Sequence, residues 1–471
     1  MKHVAVLTLV ILTGCAVGPD YRSPKTELPA NWSESHAGGI TNRTAQLAQW
    51  WKTFQDPELD SLIERALLAN HDLRMAASRL REARALRAGR YWDMLPTIEG
   101  QAAYINARTS KNAQVFPIDK INTETYDAHF DAVWEIDVFG RKRRGLEAVK
   151  ANFAATQEDQ RDVLVSVLAE VARNYVELRG FQRRSAITRD NIAAQQVALD
   201  LTRARFKGGI SSQLDVAQAA ALLAGTQSQL PVLEAATKQT LHRLAVLIGQ
   251  TPDKLLAELV PAGPIPGIPP EVPVGLPSEL LRRRADIRRA ERRLAATTAR
   301  IGVETAELFP KFSLIGTGGL QSLSTSDWFS GGSRYWTAGP TVTWRLFELG
   351  KIRSQIKAAT AREEEALAFY EQSVLLALED VENALVNYAQ EQERHRSLHA
   401  QVAANRQAVE LANELYSKGN SDFLTVLDAK RSLYRAEDDL AQCERTVTTN
   451  LIALYKALGG GWEEIKLVEK R

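Results

Sequence analysis

From Lys351 to Lys418 the chain runs for 68 residues without a proline or a glycine. As one α-helix this stretch would be roughly 100 Å long at about 1.5 Å per residue, longer than most globular domains can house. Within it Val374, Leu378, Val381, Leu385 and Tyr388 step by four and three, the seam of a coiled coil. The same steps occur earlier in the chain, at Leu164, Leu168, Val171, Tyr175 and Leu178.

That recurrence is part of an internal duplication. At one constant offset Trp134 meets Trp344, Gly140 meets Gly350, Gly209 meets Gly419, and Leu214 and Val216 meet Leu424 and Val426. At a slightly larger offset Asp72 meets Asp286 and Pro96 meets Pro310, so the second copy has the shorter loop between the two matched blocks. Each copy reads as helix, two strands, very long helix, tight turn and long helix. The first copy spans 56–249, with strands about 97–138 and a helical hairpin about 141–249; the second spans 278–459, with strands about 311–347 and a hairpin about 350–458. The hairpins turn at Lys207-Gly208-Gly209 and Lys418-Gly419-Asn420. Their returning arms carry Leu241, Leu244 and Ile248, and Leu451, Leu454 and Leu458. Between the copies lies a linker, 250–277, so rich in proline that no regular helix or central strand is expected there. Residues 15–55 read as an extended N-terminal segment and 460–471 as a tail.

The strand pattern fits either a transmembrane barrel or a half-buried soluble sheet, and it is the N-terminal signal that favours the barrel. From Tyr126 to Val138 every even position is apolar and nearly every odd one polar, and Trp336, Ala338, Pro340, Val342, Trp344 and Leu346 repeat the pattern. Thr97–Asn106 and Lys311–Gln321 are weaker strands of the same kind. Length and alternation suit tilted transmembrane β-strands of about ten residues, with Asp127, Asp131, Glu135 and Asp137 facing a water-filled lumen. Four strands leave open edges, which hydrocarbon does not admit. Single-chain outer-membrane barrels begin at about eight strands, so several chains must share one barrel, and three would supply twelve.

The N-terminus agrees. Lys2 and His3 precede an apolar run, Val4–Leu12, and then Thr13-Gly14-Cys15. The run is too short to span a bilayer as a helix. It resembles the lipobox of bacterial lipoproteins, in which 1–14 is removed as signal peptide and Cys15 carries N-acyl and diacylglycerol chains. Ala16 after the cysteine points by that resemblance to outer-membrane sorting.

Composition narrows the function. With 59 Lys+Arg against 57 Asp+Glu the chain is nearly neutral, which disfavours a nucleic-acid partner. The arginines at 282, 283, 284, 288, 289, 292 and 293 are interspersed with Asp286 and Glu291 and read as a solvated helix face. Two cysteines exclude a disulfide framework, and Cys443 reads as a packing residue. His395 and His399 lack any surrounding HExxH pattern and read as surface residues rather than metal ligands. No nucleotide loop or nucleophile elbow is present, so neither an enzyme nor a resident cofactor or metal is expected, and energy must come from a partner.

These residues together resemble one family. Cys15-Ala16-Val17-Gly18-Pro19-Asp20-Tyr21, Trp50-Trp51-x-x-Phe54-x-Asp56-Pro57-x-Leu59, Trp134-Glu135-Ile136-Asp137-Val138-Phe139-Gly140, Leu276-Pro277-Ser278-x-Leu280-Leu281-x-Arg283-Arg284-x-Asp286-Ile287 and Tyr455-Lys456-Ala457-Leu458-Gly459-Gly460-Gly461-Trp462 are similar to the TolC-like outer-membrane factors, specifically the OprM/NodT-type efflux lipoproteins. The resemblance runs nearly end to end; Ala285 departs from it where the family usually has proline. It implies an α+β membrane protein: a homotrimer with a 12-stranded β-barrel in the outer membrane of a Gram-negative bacterium, continued by a long periplasmic α-helical barrel. The implied function is a passive gated exit duct of a tripartite pump, working with a periplasmic adaptor and an inner-membrane transporter of RND or MFS type to export drugs or other small toxic compounds. A type I secretion conduit and a periplasmic coiled-coil adaptor without a pore are the competing readings.

By the same resemblance Leu424, Asp428 and Arg431, on one face of the last helix, match the family's aperture constriction, with Asp428 and Arg431 holding neighbouring helices closed. The matching first-copy residues, Leu214, Gln218 and Ala221, lack the charges, which makes the second hairpin the expected moving element. The tips Gly208-Gly209-Ile210-Ser211 and Gly419-Asn420-Ser421 are candidates for adaptor docking.

Overall fold

The computed structural model describes residues 16–33, 39–41, 43, 47–110, 112, 122–259, 261–269 and 271–463. The chain divides into two compact units, each drawing on both copies: 1–25, 80–157 and 289–371 in one, and 26–79, 158–288 and 372–471 in the other.

The first unit holds a four-stranded antiparallel sheet, β2 (Thr97–Arg108), β3 (Asn122–Ile136), β5 (Lys311–Ser322) and β6 (Arg334–Thr343), in that spatial order. The central pair comes from different copies, Ala132 lying opposite Gly316 and Trp134 opposite Leu314. β2 and β6 are its edges.

The strands stop earlier than their alternation suggests. Val138 lies beyond β3, and Trp344 and Leu346 beyond β6. Asp137 explains the first: its carboxylate accepts the backbone N–H groups of Lys142 at 3.0 Å and Arg143 at 2.8 Å, capping the helix that follows instead of lining a lumen. Leu346–Glu348 forms a 3₁₀ turn that leads into the next helix.

The second unit is built from the helical hairpins and a short two-stranded parallel pair, β1 (Ile40–Thr41) with β4 (Val272–Pro273). Helices α1 (Pro57–Ala69) and α2 (His71–Trp92) precede the first strand pair. α1 begins on Asp56, whose carboxylate accepts from the N–H groups of Glu58 and Leu59, while Pro57 occupies a first-turn position where no donor is needed. α3 (Arg141–Lys207) is an unbroken helix of 67 residues. Its seam residues Leu164, Leu168, Val171, Tyr175 and Leu178 are buried with Leu241, Leu244 and Ile248. Each such side chain contributes about 1.5–3 kcal/mol.

The arm returning from α3 is two helices, α4 (Gln213–Gln227) and α5 (Leu230–Leu247), rather than one long one. Pro231 at the start of α5 lacks the N–H that would continue the ladder and its ring crowds the preceding turn. In the second copy α9 (Leu349–Ser417) and α10 (Phe423–Ala457) are both continuous. Val374, Val381, Leu385 and Tyr388 are buried along α9, whereas Leu378 is half-buried and Ala377 is fully buried.

Contrary to expectation the linker contains a helix, α6 (Pro252–Leu259). Pro252 sits at its first position, the next proline is Pro261, and Leu255 and Leu259 are fully buried, so about two turns of amphipathic helix fit before the prolines resume. The remaining linker is tied down by its carbonyls: Gln182 donates to Leu259 O at 2.7 Å and Arg179 to Pro261 O at 2.8 Å. After the four-residue helix α7 (Leu280–Arg283), α8 (Ala285–Ala306) starts at the alanine that replaces proline. Asp286 stays engaged at this start, accepting the Ile287 N–H at 2.9 Å and both arms of the Arg284 guanidinium at 3.0 and 2.6 Å.

The Trp50-Trp51-x-x-Phe54 motif is a 3₁₀ turn whose three aromatics are buried, Trp50 stacked on Tyr455 at 5.3 Å. No described helix is long and apolar enough to cross a membrane.

Candidate functional site

Register gives the sheet two unlike faces. One carries Ile98, Tyr104, Phe130, Trp134, Leu314, Trp336 and Val342, all exposed, Phe130 by 67% and Trp336 by 78%. Phe130 lies between Gly100 and Gly318, and a Cβ on Gly100 would come 3.1 Å from its ring. In water such an apolar face would be costly; in hydrocarbon it is at home. The opposite face carries Glu99, Gln101, Asp127, His129, Asp131, Glu135, Thr317, Gln321, Tyr335, Thr337 and Thr341, interrupted by Ile105, Val133 and Ile315. Aromatic side chains continue the apolar face toward one strand end, with Tyr104, Tyr126, Trp328 and Phe329 forming a row at centroid spacings of 5.0, 5.8 and 4.9 Å.

At the other end Arg141-Lys142-Arg143-Arg144, the basic run that opens α3, is fully engaged. Arg141 makes a two-pronged contact with Glu135 at 3.0 and 2.6 Å, and Lys142 donates to Asp93 O at 2.6 Å. Arg143 pairs with Asp137. Arg144 is buried, donating to Val17 O at 3.2 Å, Gly18 O at 3.3 Å and Asp20 at 2.7 Å. Val17 N–H donates to Phe139 O at 3.1 Å, and a Cβ on Gly140 would fall 2.7 Å from Ala16. The segment directly after Cys15 is therefore seated against the residues that end β3. Cys15 itself lies outside the described residues.

The two hairpin turns share one geometry. Gly209 and Gly419 have φ of 72° and 73°, which only glycine adopts without strain. In each, the next residue donates back to the helix, Ile210 to Arg205 O and Asn420 to Leu415 O, both at 2.9 Å. Ser212 with Asp215 forms a capping box on α4, and Asp422 caps α10 by accepting from Thr425 N–H at 3.0 Å. The Thr425 hydroxyl, together with that backbone bond, holds the Asp422 carboxyl below its usual range. Gly208, Gly209, Ile210, Ser211, Gly419, Asn420 and Ser421 all lie at these turns, with Ile210 exposed.

Below the turns the hairpins are packed on each other. Leu199, Ala219 and Leu223 of the first share a cluster with Ala412, Phe423, Val426 and Leu427 of the second, and the Arg205 guanidinium lies 4.4 Å from the Tyr416 ring. Spacing alone reveals none of these long-range pairs. With one face of α10 thus occupied, Leu424, Asp428 and Arg431 emerge together on another, exposed. Arg431 donates to Asp428 at 2.7 Å within the same helix, the two side chains 60% and 52% exposed. Lys430 beside them is half-buried, and burial lowers its pKa.

A second lock between hairpins lies further along. Arg184 of α3 makes a two-pronged pair with Asp438 of α10 at 2.7 and 2.9 Å, while Tyr434 donates to Gln229, at the break between α4 and α5, at 2.7 Å.

The remaining charged features are structural. Arg283 pairs with Glu279 and Arg288 with Glu158, both at 2.8 Å, and Trp462 lies against Arg161 and Arg288. His395 stands 4.0 Å from Glu444, and no cluster of three metal-ligating side chains occurs among the described residues.

A face for lipid backed by a face for water, on a chain whose other unit is coiled hairpins, defines a membrane channel component. A family model described as outer membrane efflux protein matches residues 62–250 and 276–460, once for each copy. The chain is 34% identical to the pyoverdine export outer membrane protein OpmQ of Pseudomonas putida, over 98% of each chain. It is 29% identical to nodulation protein T of Rhizobium leguminosarum bv. trifolii, over 97% of this chain and 96% of that one. The solved outer-membrane channel OprN superposes with a TM-score of 0.90 at 41% identity, covering 95% of this chain and all of that one.

The chain belongs to the outer membrane efflux protein family. It is the outer-membrane channel component of an efflux pump, of the OprM/NodT type, and the family is one of ducts rather than enzymes.

Proposed function

We propose that three copies of the chain close one twelve-stranded barrel in the outer membrane and that their hairpins form a gated periplasmic tube. The observation that carries this reading is the four-stranded sheet with an exposed apolar face and edges at β2 and β6. Hydrocarbon offers no partner to edge N–H and C=O groups, so each β2 edge must meet the β6 edge of the next chain. Cyclic symmetry then turns the polar face of every chain toward one water path.

The described residues that follow Cys15 are seated at the end of β3, Val17 against Phe139 and Arg144, and this supports a lipid anchor on the cysteine that precedes them. At the hairpin ends three Leu424 side chains narrow the pore, and Asp428 and Arg431, exposed and, among the described residues, paired within their own helix, exchange partners with neighbouring chains. The tips at Gly208–Ser211 and Gly419–Ser421 receive a periplasmic adaptor, which couples the duct to an inner-membrane transporter of RND or MFS type. Adaptor binding shifts a closed population toward an open one, and energy comes from the transporter. Cargo is a small molecule, as pyoverdine is for the OpmQ relative.

Native mass spectrometry of the detergent-solubilised protein tests the assembly. A mass of three lipid-modified chains is expected; membrane-inserted single chains would contradict it.

A further inference from the structure

The polar face of β3 carries one histidine set between two carboxylates. His129 Nδ1 contacts Asp127, and its Nε2 lies 3.1 Å from Asp131 Oδ2. The carboxylates are held from β5 and β6: Thr317 donates to Asp131 at 2.6 Å, while Gln321 at 3.0 Å and Tyr335 at 3.3 Å donate to the same oxygen of Asp127. Asp127 is only 8% exposed. The residue opposite His129 on β5 is Gly319, where a Cβ would come 2.5 Å from the His129 Cβ and 2.4 Å from Ala128 O. A side chain there would push aside the β3 backbone at Ala128 and His129, and the imidazole it carries.

Taking this face as the wall of the water path, the reading on which the inference rests, we propose that His129 sets the charge selectivity of the duct. The ionisable groups facing this network are Asp127 and Asp131 on β3, Glu99 opposite Asp131 on β2, and Tyr335 on β6; β5 supplies Thr317, Gln321 and Gly319. The nearby cations on this side serve other carboxylates, Arg141 with Glu135 and Lys311 with Glu307. The network is therefore acidic, and His129 is its one group that changes charge near neutrality.

A fixed negative ring in a confined path raises the local concentration of cations and depletes anions. Protonated His129 offsets part of that charge in each chain. Deprotonation removes the offset, so preference for cationic over anionic solutes rises with pH. Symmetry makes the step threefold in the assembled barrel, so a single residue type acts with three copies at one level of the path. For the pump this means a bias toward cationic or neutral cargo, applied by the duct after the transporter has made its own selection.

Reversal potentials of the wild-type full chain in planar bilayers under a KCl gradient, at pH 5 and pH 8, test the assignment beside His129→Gln. The cation-to-anion permeability ratio of the wild type should rise by about threefold or more with pH, and the step should vanish in H129Q. Gln101→Arg, which places a permanent cation opposite His129, should lower the ratio at both pH values while keeping the step. A wild-type ratio that ignores pH, or a step that survives in H129Q, would overturn the assignment and leave the channel intact. Absence of current from all three proteins, and from the same three carrying Asp428→Ala, would overturn the channel reading, and the assignment with it.

Discussion

The indole N–H of Trp134 donates to the carbonyl of Met94 at 3.1 Å, and its counterpart in the second copy, Trp344, donates to the carbonyl of Leu308 at 3.0 Å. Met94 and Leu308 each stand two residues before a proline, Pro96 and Pro310, that opens the preceding strand. The duplication has thus kept one device twice: a tryptophan at the end of a strand, its ring half-exposed and its nitrogen tied to the turn that starts the hairpin.

Replacing either tryptophan by phenylalanine keeps most of the apolar ring and deletes the donor. Each of W134F and W344F should cost roughly 1 kcal/mol, leaving a carbonyl without its partner, and the double variant should lose about the sum because the sites are separate. Thermal unfolding of the detergent-solubilised protein reads this directly. Equal melting temperatures for all four proteins would show that the tie is dispensable.

Arg144 should act as the clamp of the N-terminal segment. Arg144→Ala removes its bonds to Val17, Gly18 and Asp20, and residues 16–21 should become cleavable by added protease while the sheet and hairpins stay resistant. Resistance equal to the wild type would assign the clamp to the Val17–Phe139 backbone bond instead.

The Arg184–Asp438 pair joins the two hairpins with both side chains about four-fifths buried. Arg184→Ala alone leaves a carboxylate with its partner gone and should destabilise by about 3 kcal/mol, whereas Arg184→Met with Asp438→Leu should recover most of that loss. Denaturant unfolding of the three proteins measures both. A double variant no better than the single would mean that the pair contributes specific attraction beyond mutual neutralisation.

Cys443 is fully buried, and burial pushes its thiol up to about 12. At pH 8 on the order of one molecule in ten thousand carries a thiolate, so a disulfide reagent should label the unfolded chain and leave the folded one unlabelled. The sign for stability follows. Below the ordinary thiol range both states are protonated and nothing changes; as pH rises from about 9 toward 12 the unfolded thiol ionises first, and this group's contribution to folding is lost. Rapid native labelling at pH 8 would contradict the buried placement.

Much of this was legible before any coordinates. The 4-3 stepping of Leu164–Leu178 is a local property of one helix and announces its buried seam directly. Strand alternation likewise separates Phe130 and Trp336 from Asp127 and Tyr335 without knowledge of register. What failed depends on single residues overruling a pattern. Asp137 continues the alternation by composition yet leaves the strand to cap α3. Pro231 divides an arm that its apolar content would leave whole, and in the linker Pro252 starts a helix where the density of prolines argues against one. Partners distant in sequence, such as Arg184 with Asp438 or Arg144 with Asp20, carry no local signal at all. The face made by Leu424, Asp428 and Arg431 was readable from helical spacing, and the contact it shows is the Arg431–Asp428 pair within one helix.

Conductance of the purified protein in planar bilayers, wild type beside Asp428→Ala, tests the central claim most directly. A closed iris in a real pore predicts low conductance for the wild type and a clear rise in the variant. Membrane-inserted protein that conducts in neither form would contradict the duct itself.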